Sequence, residues 1–355
     1  MTKLIYSDKT EKKAVTTPII GSFGVLLFFI VFFFSISVGS VGFSFSDTVR
    51  VLVVRLFGIG DTGDIPDSIV TIIINVRLPR VILSALVGAA LSISGAAMQG
   101  LLKNPLADGS TLGITSGGAL GAVISIAAGF DLPFFPHGGL VFMSILFSFL
   151  SLVMILTLTY KIDYNLSNQT IILTGVIFSM LASSITSLIV SLSGNNLKQV
   201  VFWTMGSFSG RGWSYVALML PFFMLGAVPL LLLNRELDAF SLGEEQAEYI
   251  GVNTKRIKLS MLILVSILVG VSVAVSGTIG FVGLVIPHMT RFMTGPNHKK
   301  LLPVSALFGA VFLMATDLLS RTILSPAEMP IGVVTSLIGA LLFIYIFYSR
   351  TRVKG

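Results

Sequence analysis

The chain has no cysteine and few charged residues. Without cysteine, neither a disulfide nor a thiolate metal site can form. Charged residues make up 11% of the sequence, whereas soluble domains carry roughly 25%. Together with a hydrophobic content of 54%, this predicts an all-α polytopic membrane protein. The net charge of +7 does not indicate a nucleic-acid partner, because in a membrane protein the placement of basic residues matters more than their sum.

The sequence also lacks the patterns of common catalytic chemistry. It contains no Gly-Lys pair, and therefore no Walker A phosphate loop, and neither HExxH nor G-x-S-x-G occurs. Only three histidines are present (His137, His288 and His298), which is too few to suggest a histidine metal cluster. We expect no catalytic residue, metal ligand or cofactor in this chain. If ATP drives its activity, a separate subunit must bind ATP and Mg²⁺.

Long apolar runs dominate what is present. A membrane-spanning helix needs roughly 20 apolar residues, and by that measure ten spans are predicted. They lie near 19–41, 79–100, 110–129, 138–160, 170–193, 213–233, 259–276, 278–293, 301–320 and 330–349. Residues 1–18 form an N-terminal tail, and residues 19–355 form a single transmembrane domain.

The distribution of lysine and arginine predicts the orientation in the membrane. If both termini are cytoplasmic, 16 of the 23 basic residues fall on the inner side, as the positive-inside tendency requires. The others fall outside: Arg50, Arg55, Arg77, Arg80, Lys198, Arg211 and Arg321. Snorkelling at the interface is one explanation for the outer arginines. Asp317 precedes Arg321 by four residues, so it is either neutralised by that arginine or a functional acid within a span.

A polar segment at 234–258 interrupts the apolar runs on the predicted cytoplasmic side. Ser241 and Glu244 have the S-x-x-E spacing of a capping box, and Gly251 can adopt the left-handed conformation that ends a helix. Leu242, Ala247 and Ile250 would form an apolar side. A short capped helix between two spans suggests a contact for a soluble partner, and the alternative is a plain connecting helix.

Small residues and glycines mark other features. Gly109, Gly113, Gly117 and Gly121 form successive GxxxG steps, which favour close helix packing or, alternatively, line a substrate path. The stretch 191–213 predicts a short interfacial or re-entrant helix with Trp203 and Trp213 as interface anchors. Glycines near 277–283 and Pro287 predict a broken helix.

Several stretches in order resemble the permease family of ABC importers for iron–siderophores, haem and cobalamin. They are RLPR (77–80), GAALSISGAAMQGLLKNPLADGSTLGI (88–114), FWTMGSFSG (202–210), LGEEQAEYIGV (242–252), GTIGFVGLVIPHMTR (277–291) and EMPIGVVTSLIGA (328–340). The resemblance covers nearly the whole chain. It implies a BtuC-like fold of ten helices per subunit, with two subunits around a central pathway.

The resemblance also implies roles for particular residues. Arg77, Arg80 and Arg321 correspond to the family's docking residues for carboxylates of an extracellular binding protein. The coupling residues for the ATPase correspond to Ser241, Leu242, Gly243, Glu244, Glu245, Ala247, Ile250 and Gly251. Asn168 and Gln169 align with the inner gate, although the family often has small hydroxyl residues there.

The resulting expectation is the permease subunit of an ABC importer for an iron(III)–siderophore in a bacterial cytoplasmic membrane. Its expected partners are a second permease subunit, two cytoplasmic ATPase subunits, an extracellular binding protein and membrane lipid. A cobalamin or haem importer is the alternative within the family. An ion-coupled secondary transporter that uses Asp317 is the alternative from another class.

Overall fold

The computed structural model describes residues 2–39, 42–132, 137–192 and 196–353, and all regular structure within these ranges is helical. A π-helical segment, Ile72–Arg77, joins α3 to α4. The all-α prediction is confirmed. The helices in chain order are α1 (Thr2–Ser37), α2 (Phe45–Phe57), α3 (Asp67–Thr71), α4 (Leu78–Leu101), α5 (Ile114–Ala128), α6 (Gly138–Ile162), α7 (Asn168–Leu192), α8 (Leu197–Thr204), α9 (Trp213–Leu232), α10 (Asn234–Leu242), α11 (Glu244–Tyr249), α12 (Thr254–Ser276), α13 (Val282–Thr294), α14 (His298–Thr322) and α15 (Ile331–Val353).

Each predicted span corresponds to one of these helices, but not all are full length. Seven helices in the described part are long and apolar enough to cross a membrane, counting α3, the π segment and α4 as one. Helix α5 and the apolar part of α15 are shorter. Helix α13 has 13 residues, about 20 Å at 1.5 Å per residue, which is less than the roughly 30 Å hydrocarbon core. The predicted tail is continuous with the first span, because α1 includes Pro18.

Helix α4 lies at the centre and packs against α14, α13, α12 and α9. Glycines allow this close approach. A Cβ atom on Gly88 would lie 2.3 Å from the Gly309 oxygen in α14, and one on Gly95 would lie 1.8 Å from the Gly283 oxygen in α13. Small residues here bring backbones together, as membrane helices without a hydrophobic driving force require. The glycines at these positions therefore serve close helix packing.

Of the four glycines that form the GxxxG steps of the third span, two lie in a helix. Gly117 and Gly121 face α6, where a Cβ on Gly121 would lie 2.2 Å from the Met143 oxygen. Helix α5 begins only after Gly113, which has a φ of 68°. The carboxylate of Asp108 accepts the backbone N–H groups of Ser110 and Thr111. Such a side-chain turn competes with helix formation, so the span starts later than predicted.

The chain is broken between α12 and α13, as predicted. Gly277 and Phe281 have φ values of 73° and 69°. The backbone of the broken region is hydrogen-bonded to neighbouring loops, for example from the Ser207 N–H to the Ser276 oxygen at 2.8 Å. Irregular backbone at membrane depth is stable where protein surrounds it.

The short helix predicted in 191–213 is α8. Its Trp203 is only 8% exposed and belongs to the main hydrophobic core, so its predicted role as an interface anchor is wrong. Burial against the core outweighs the interfacial preference of the indole here. Trp213 is exposed, and its Nε1 donates to the Ile74 oxygen at 3.0 Å.

Candidate functional site

Five charged side chains on the side predicted to be extracellular form a cluster, the outer ion cluster: Arg77, Arg80, Asp317, Arg321 and Glu328. Arg80 binds both acids, with Nη2 at 2.8 Å from Asp317 Oδ1 and Nη1 at 2.9 Å from Glu328 Oε1. The predicted pair of Asp317 and Arg321 is present, at 3.5 Å. Asp317 is 1% exposed and Glu328 36%. Two arginines therefore neutralise Asp317, and the cluster ties α4 to α14 and to the loop before α15.

The other contacts of the outer ion cluster hold the end of α1. Arg77 Nη1 donates to the oxygens of Ile36 and Ser37, both at 2.7 Å, and its guanidinium lies 4.3 Å from the centre of the Phe43 ring. Arg321 Nη2 donates to the Ser35 oxygen. Cations are favourable at a helix C-terminus, where carbonyl groups lack helical partners. Arg77, Arg80 and Arg321 are 5%, 8% and 4% exposed, so the predicted docking residues have internal partners in this conformation.

A cavity of about 520 Å³ lies where α4, the Asp108 turn, α8, the broken region and α15 meet. Among the described residues, Asp108 is the one charged residue in its wall. The rest of the wall consists of apolar side chains, glycines and hydroxyl groups, the last from Ser110, Thr115, Thr204, Thr278 and Ser336. Its volume is within the range of small-molecule sites, about 300–1,000 Å³. A wall of hydroxyl and apolar groups can accommodate a polar molecule without holding it by strong charge.

The predicted coupling segment is two helices, α10 and α11, separated by Gly243 at a φ of 141°. The predicted capping box is wrong. Ser241 lies inside α10, where its hydroxyl donates to the Leu237 oxygen at 3.0 Å. Gly243 is the N-cap of α11 and provides no side-chain hydrogen bond. Glu244 pairs with Lys258 of α12 instead of closing a box.

The end of α11 agrees with the prediction. Gly251 has a φ of 90°, its N–H donates to the Glu248 oxygen, and the Val252 N–H donates to the Ala247 oxygen at 3.0 Å. This pair of bonds is a Schellman motif. The predicted apolar side is not continuous, because Ala247 is buried.

Three large apolar side chains of this segment are exposed beside the polar side chains of Ser241, Gln246 and Glu248. Leu242, Tyr249 and Ile250 are 69%, 89% and 65% exposed. Glu245 is also exposed. Exposed apolar groups clustered on a polar segment are typical of a contact for a partner.

The predicted gate residues begin α7. Asn168 is half-buried, and its Nδ2 donates to the Leu101 oxygen at the end of α4, at 3.4 Å. Gln169 is exposed. Asn168 therefore connects the start of α7 to the end of α4.

Gly109, which the sequence suggests as a packing residue or a residue lining a substrate path, lies in the cavity wall. Sequence reasoning missed the hydroxyl groups of that wall and the ion pairs of Arg80 and Lys258. Thr204, Thr278 and Ser336 lie within the quoted apolar stretches, so isolated hydroxyls in those stretches were a usable signal. Glu328 was visible as the acid that opens its stretch. Lys258 gave no such signal, because its second partner, the Leu166 oxygen, is 92 residues away in sequence.

The architecture defines a class: a helical, multi-pass membrane protein with a cavity beside a broken helix. The sequence model described as the FecCD transport family matches residues 27–349. This chain belongs to that family and is an ABC importer permease.

Known proteins agree with that assignment. The chain is 48% identical to the uncharacterized ABC transporter permease protein YvrB of Bacillus subtilis, over 89% of this chain and 90% of YvrB. It is 40% identical to the hemin transport system permease protein HmuU of Yersinia pestis, over 81% of this chain and 86% of HmuU. A solved inward-facing structure described as a metal-chelate type ABC transporter superposes with a TM-score of 0.82 at 34% identity, covering 94% of this chain and 99% of the other. Further relatives carry names that specify cobalamin, molybdate and Fe(3+)-citrate import.

Proposed function

We propose that this chain imports an iron(III)–siderophore through the cavity described above. The observation that carries the proposal is the cavity itself, whose volume of about 520 Å³ and hydroxyl-rich wall suit a polar organic chelate. Binding in a transport path has to be weak enough for release, and a wall with one acidic group meets that condition. The siderophore holds the iron, so the path needs no metal ligands of its own. Haem and cobalamin are supported equally well by the names of the relatives.

An uptake experiment identifies the compound that is transported. Cells that depend on this permease are given ⁵⁵Fe-labelled siderophores of several chelating classes, hemin or labelled cobalamin. We expect uptake of one iron–siderophore class, and uptake restricted to hemin or cobalamin would contradict the proposal. Ser336→Phe, which fills the cavity, should abolish uptake, and Ile59→Ala at an exposed site outside the cavity is the control.

We infer that α11 docks on a separate cytoplasmic ATPase, which binds ATP and Mg²⁺. The exposed side chains Leu242, Tyr249 and Ile250 support this role, because an apolar group on a polar segment is stable when a partner covers it. Glu245 could add a rim charge. Two such ATPases, and a second permease subunit of the same or a different sequence, would complete the importer.

The surface of α11 can be tested without disturbing its internal contacts. The double substitution Tyr249→Asp and Ile250→Asp places charge on two side chains that are 89% and 65% exposed. We expect the ATPase to be lost from a pull-down in mild detergent. Ile59→Asp, at a comparably exposed apolar side chain, is the matched control. Undiminished ATPase recovery with the double variant would exclude this docking surface.

We propose that the extracellular binding protein docks near the outer ion cluster. Arg77, Arg80 and Arg321 are occupied internally, so docking on them requires an exchange of partners. Glu328 is the half-exposed acid of the cluster, and a carboxylate of the binding protein could replace it on Arg80. Glu328→Gln should then raise the association rate of the binding protein, an effect that salt screens. Unchanged association would contradict docking at Arg80.

A further inference from the structure

Lys258 in the first turns of α12 is a buried cation with two polar partners. It is 1% exposed. Its Nζ pairs with Oε1 of Glu244, the first residue of α11, and donates to the Leu166 oxygen at 2.8 Å. A buried ammonium group is stable only when it is paired and hydrogen-bonded. The ammonium group of Lys258 therefore holds Glu244 and the Leu166 oxygen close to each other.

Leu166 belongs to the loop 163–167, which precedes the predicted gate residues. The Asp163 carboxylate accepts the N–H groups of Asn165 at 2.9 Å and Ser167 at 3.0 Å. Hydrogen bonds from Ser167, through both its side chain and its backbone, lower the pKa of Asp163. Leu166 itself is buried at a φ of 52°. The loop is thus a compact unit, and a force on its carbonyl oxygen moves the start of α7 with it.

Two neighbours of Lys258 in α12 also contact α11 or the loop 163–167. Thr254 Oγ1 donates to Glu248 of α11 at 2.5 Å. Lys255 Nζ donates to the Tyr164 oxygen at 3.3 Å and lies 3.8 Å from the centre of the Tyr164 ring. Lys255 and Lys258 are three residues apart and share a helix face. The first turns of α12 therefore contact α11 on one side and the loop 163–167 on the other.

We propose that Lys258 is a positioning residue that links the ATPase-docking helix α11 to the loop 163–167, which leads into the predicted gate residues of α7. This inference rests on the proposed function and specifies how motion of α11 reaches α7. When α11 moves, Glu244 draws the ammonium group of Lys258 with it, since a cation that is 1% exposed is destabilised when it loses a partner. The Leu166 oxygen follows, and the loop transfers the displacement to Asn168. The route is short and does not pass through the packed centre of α4.

The first test measures coupling in the complete importer, reconstituted in proteoliposomes. Lys258→Met keeps the volume of the side chain and removes its charge. We expect the ATPase to remain bound and to hydrolyse ATP, while cargo uptake per ATP falls about tenfold, within the usual range of coupling free energies. Lys258→Arg should restore most of the coupling, because it retains a cation and its donors. Lys161→Met removes an exposed lysine and is the matched control.

A second test uses this chain alone. Because the chain has no cysteine, spin labels can be placed on Asn165→Cys and Glu245→Cys, both at exposed positions. The distance between the labels should have one narrow distribution in the otherwise unaltered protein and a broader one with Lys258→Met. If Lys258→Met does not fold, Glu244→Ala replaces it, since this substitution removes the same ion pair at a half-exposed site.

The outcomes distinguish a failure of the role of Lys258 from a failure of the proposed function. An unchanged uptake per ATP and an unchanged distance distribution in Lys258→Met, or in Glu244→Ala where that variant replaces it, would overturn the role of Lys258. A loss of coupling in Lys161→Met as large as in Lys258→Met would also overturn it. If no ATPase binds the unaltered chain, the proposed function fails, and the distance measurement still decides whether Lys258 holds the two segments together.

Discussion

Among the charges of the outer ion cluster, we expect the loss of Asp317 to reduce the stability of the protein most. It has three arginines and two acids, a net charge of +1, and Asp317 is the buried acid that two arginines share. Asp317→Asn preserves shape but leaves three cations with only Glu328. Removing one partner of a buried ion pair costs about 3–5 kcal/mol. Arg80→Met leaves two cations and two acids, and Glu328 can turn toward water, so its cost should be about 1–3 kcal/mol.

The assay is the thermal midpoint of the detergent-solubilised protein, measured by size exclusion after heating at one fixed rate. Each kcal/mol shifts the midpoint by about 2–4 °C in a domain of 150–250 residues, and by less in a longer chain. An unfolding entropy of about 2.1 cal/mol/K per residue gives roughly 1.3 °C per kcal/mol for 355 residues. Asp317→Asn should therefore lower the midpoint by about 4–7 °C, and more than Arg80→Met does. Asp64→Asn, at an exposed acid in the same outer region, should change nothing. Equal midpoints for Asp317→Asn and the unaltered protein, or a larger effect of Arg80→Met, would refute the charge balance.

Three further predictions concern backbone packing, the end of α11 and topology. Gly95→Ala should cost at least about 1–3 kcal/mol, seen as a lower thermal midpoint, because its Cβ would lie 1.8 Å from the Gly283 oxygen; Gly280→Ala, whose Cβ would be 3.7 Å from its nearest neighbour, is the control. Gly251→Ala should destabilise the end of α11 by about 1–2 kcal/mol, because φ is 90° there, and should weaken ATPase recovery in a pull-down; full recovery would argue against it. Asn297→Cys should resist an impermeant thiol reagent applied outside intact cells, and ready labelling would reverse the proposed orientation.

The order of the ten predicted spans could be read from the sequence, because apolar runs report burial in lipid or core directly, whereas α2 and α3 were not predicted. Helix lengths could not be predicted as well. Helix α5 starts late because Asp108 ties up the backbone N–H groups of Ser110 and Thr111, and composition does not show such a turn. The break after Ser276 was predictable, since glycines there supply the required backbone freedom. The cavity beside the break depends on contacts between distant segments, because α4, α8, α15 and the Asp108 turn all contribute to its wall.

The failed capping box shows how tertiary packing overrides a local pattern. A box requires Ser241 to lie outside the helix that follows. In the structure α10 continues through Ser241, because Leu237 and Phe240 on the same helix are buried in the core, at 0% and 1% exposure. Gly243 then provides the turn, and Glu244 becomes available to Lys258. The spacing of Ser241 and Glu244 is compatible both with a capping box and with a helix that continues through Ser241. The burial of α10 favours the continuous helix.

The outer arginines present the same ambiguity for charge. Their positions against the positive-inside tendency are consistent with docking and with internal pairing. The internal partners of Arg80 are 237 and 248 residues away in sequence, so no local pattern could identify them. The two roles need not exclude each other. Asp317 is buried and fixes the position of Arg80, whereas Glu328 is half-exposed. Because the exposed acid loses less when water replaces its partner, Glu328 is the member of the cluster that an incoming carboxylate can displace while Asp317 keeps Arg80 in place.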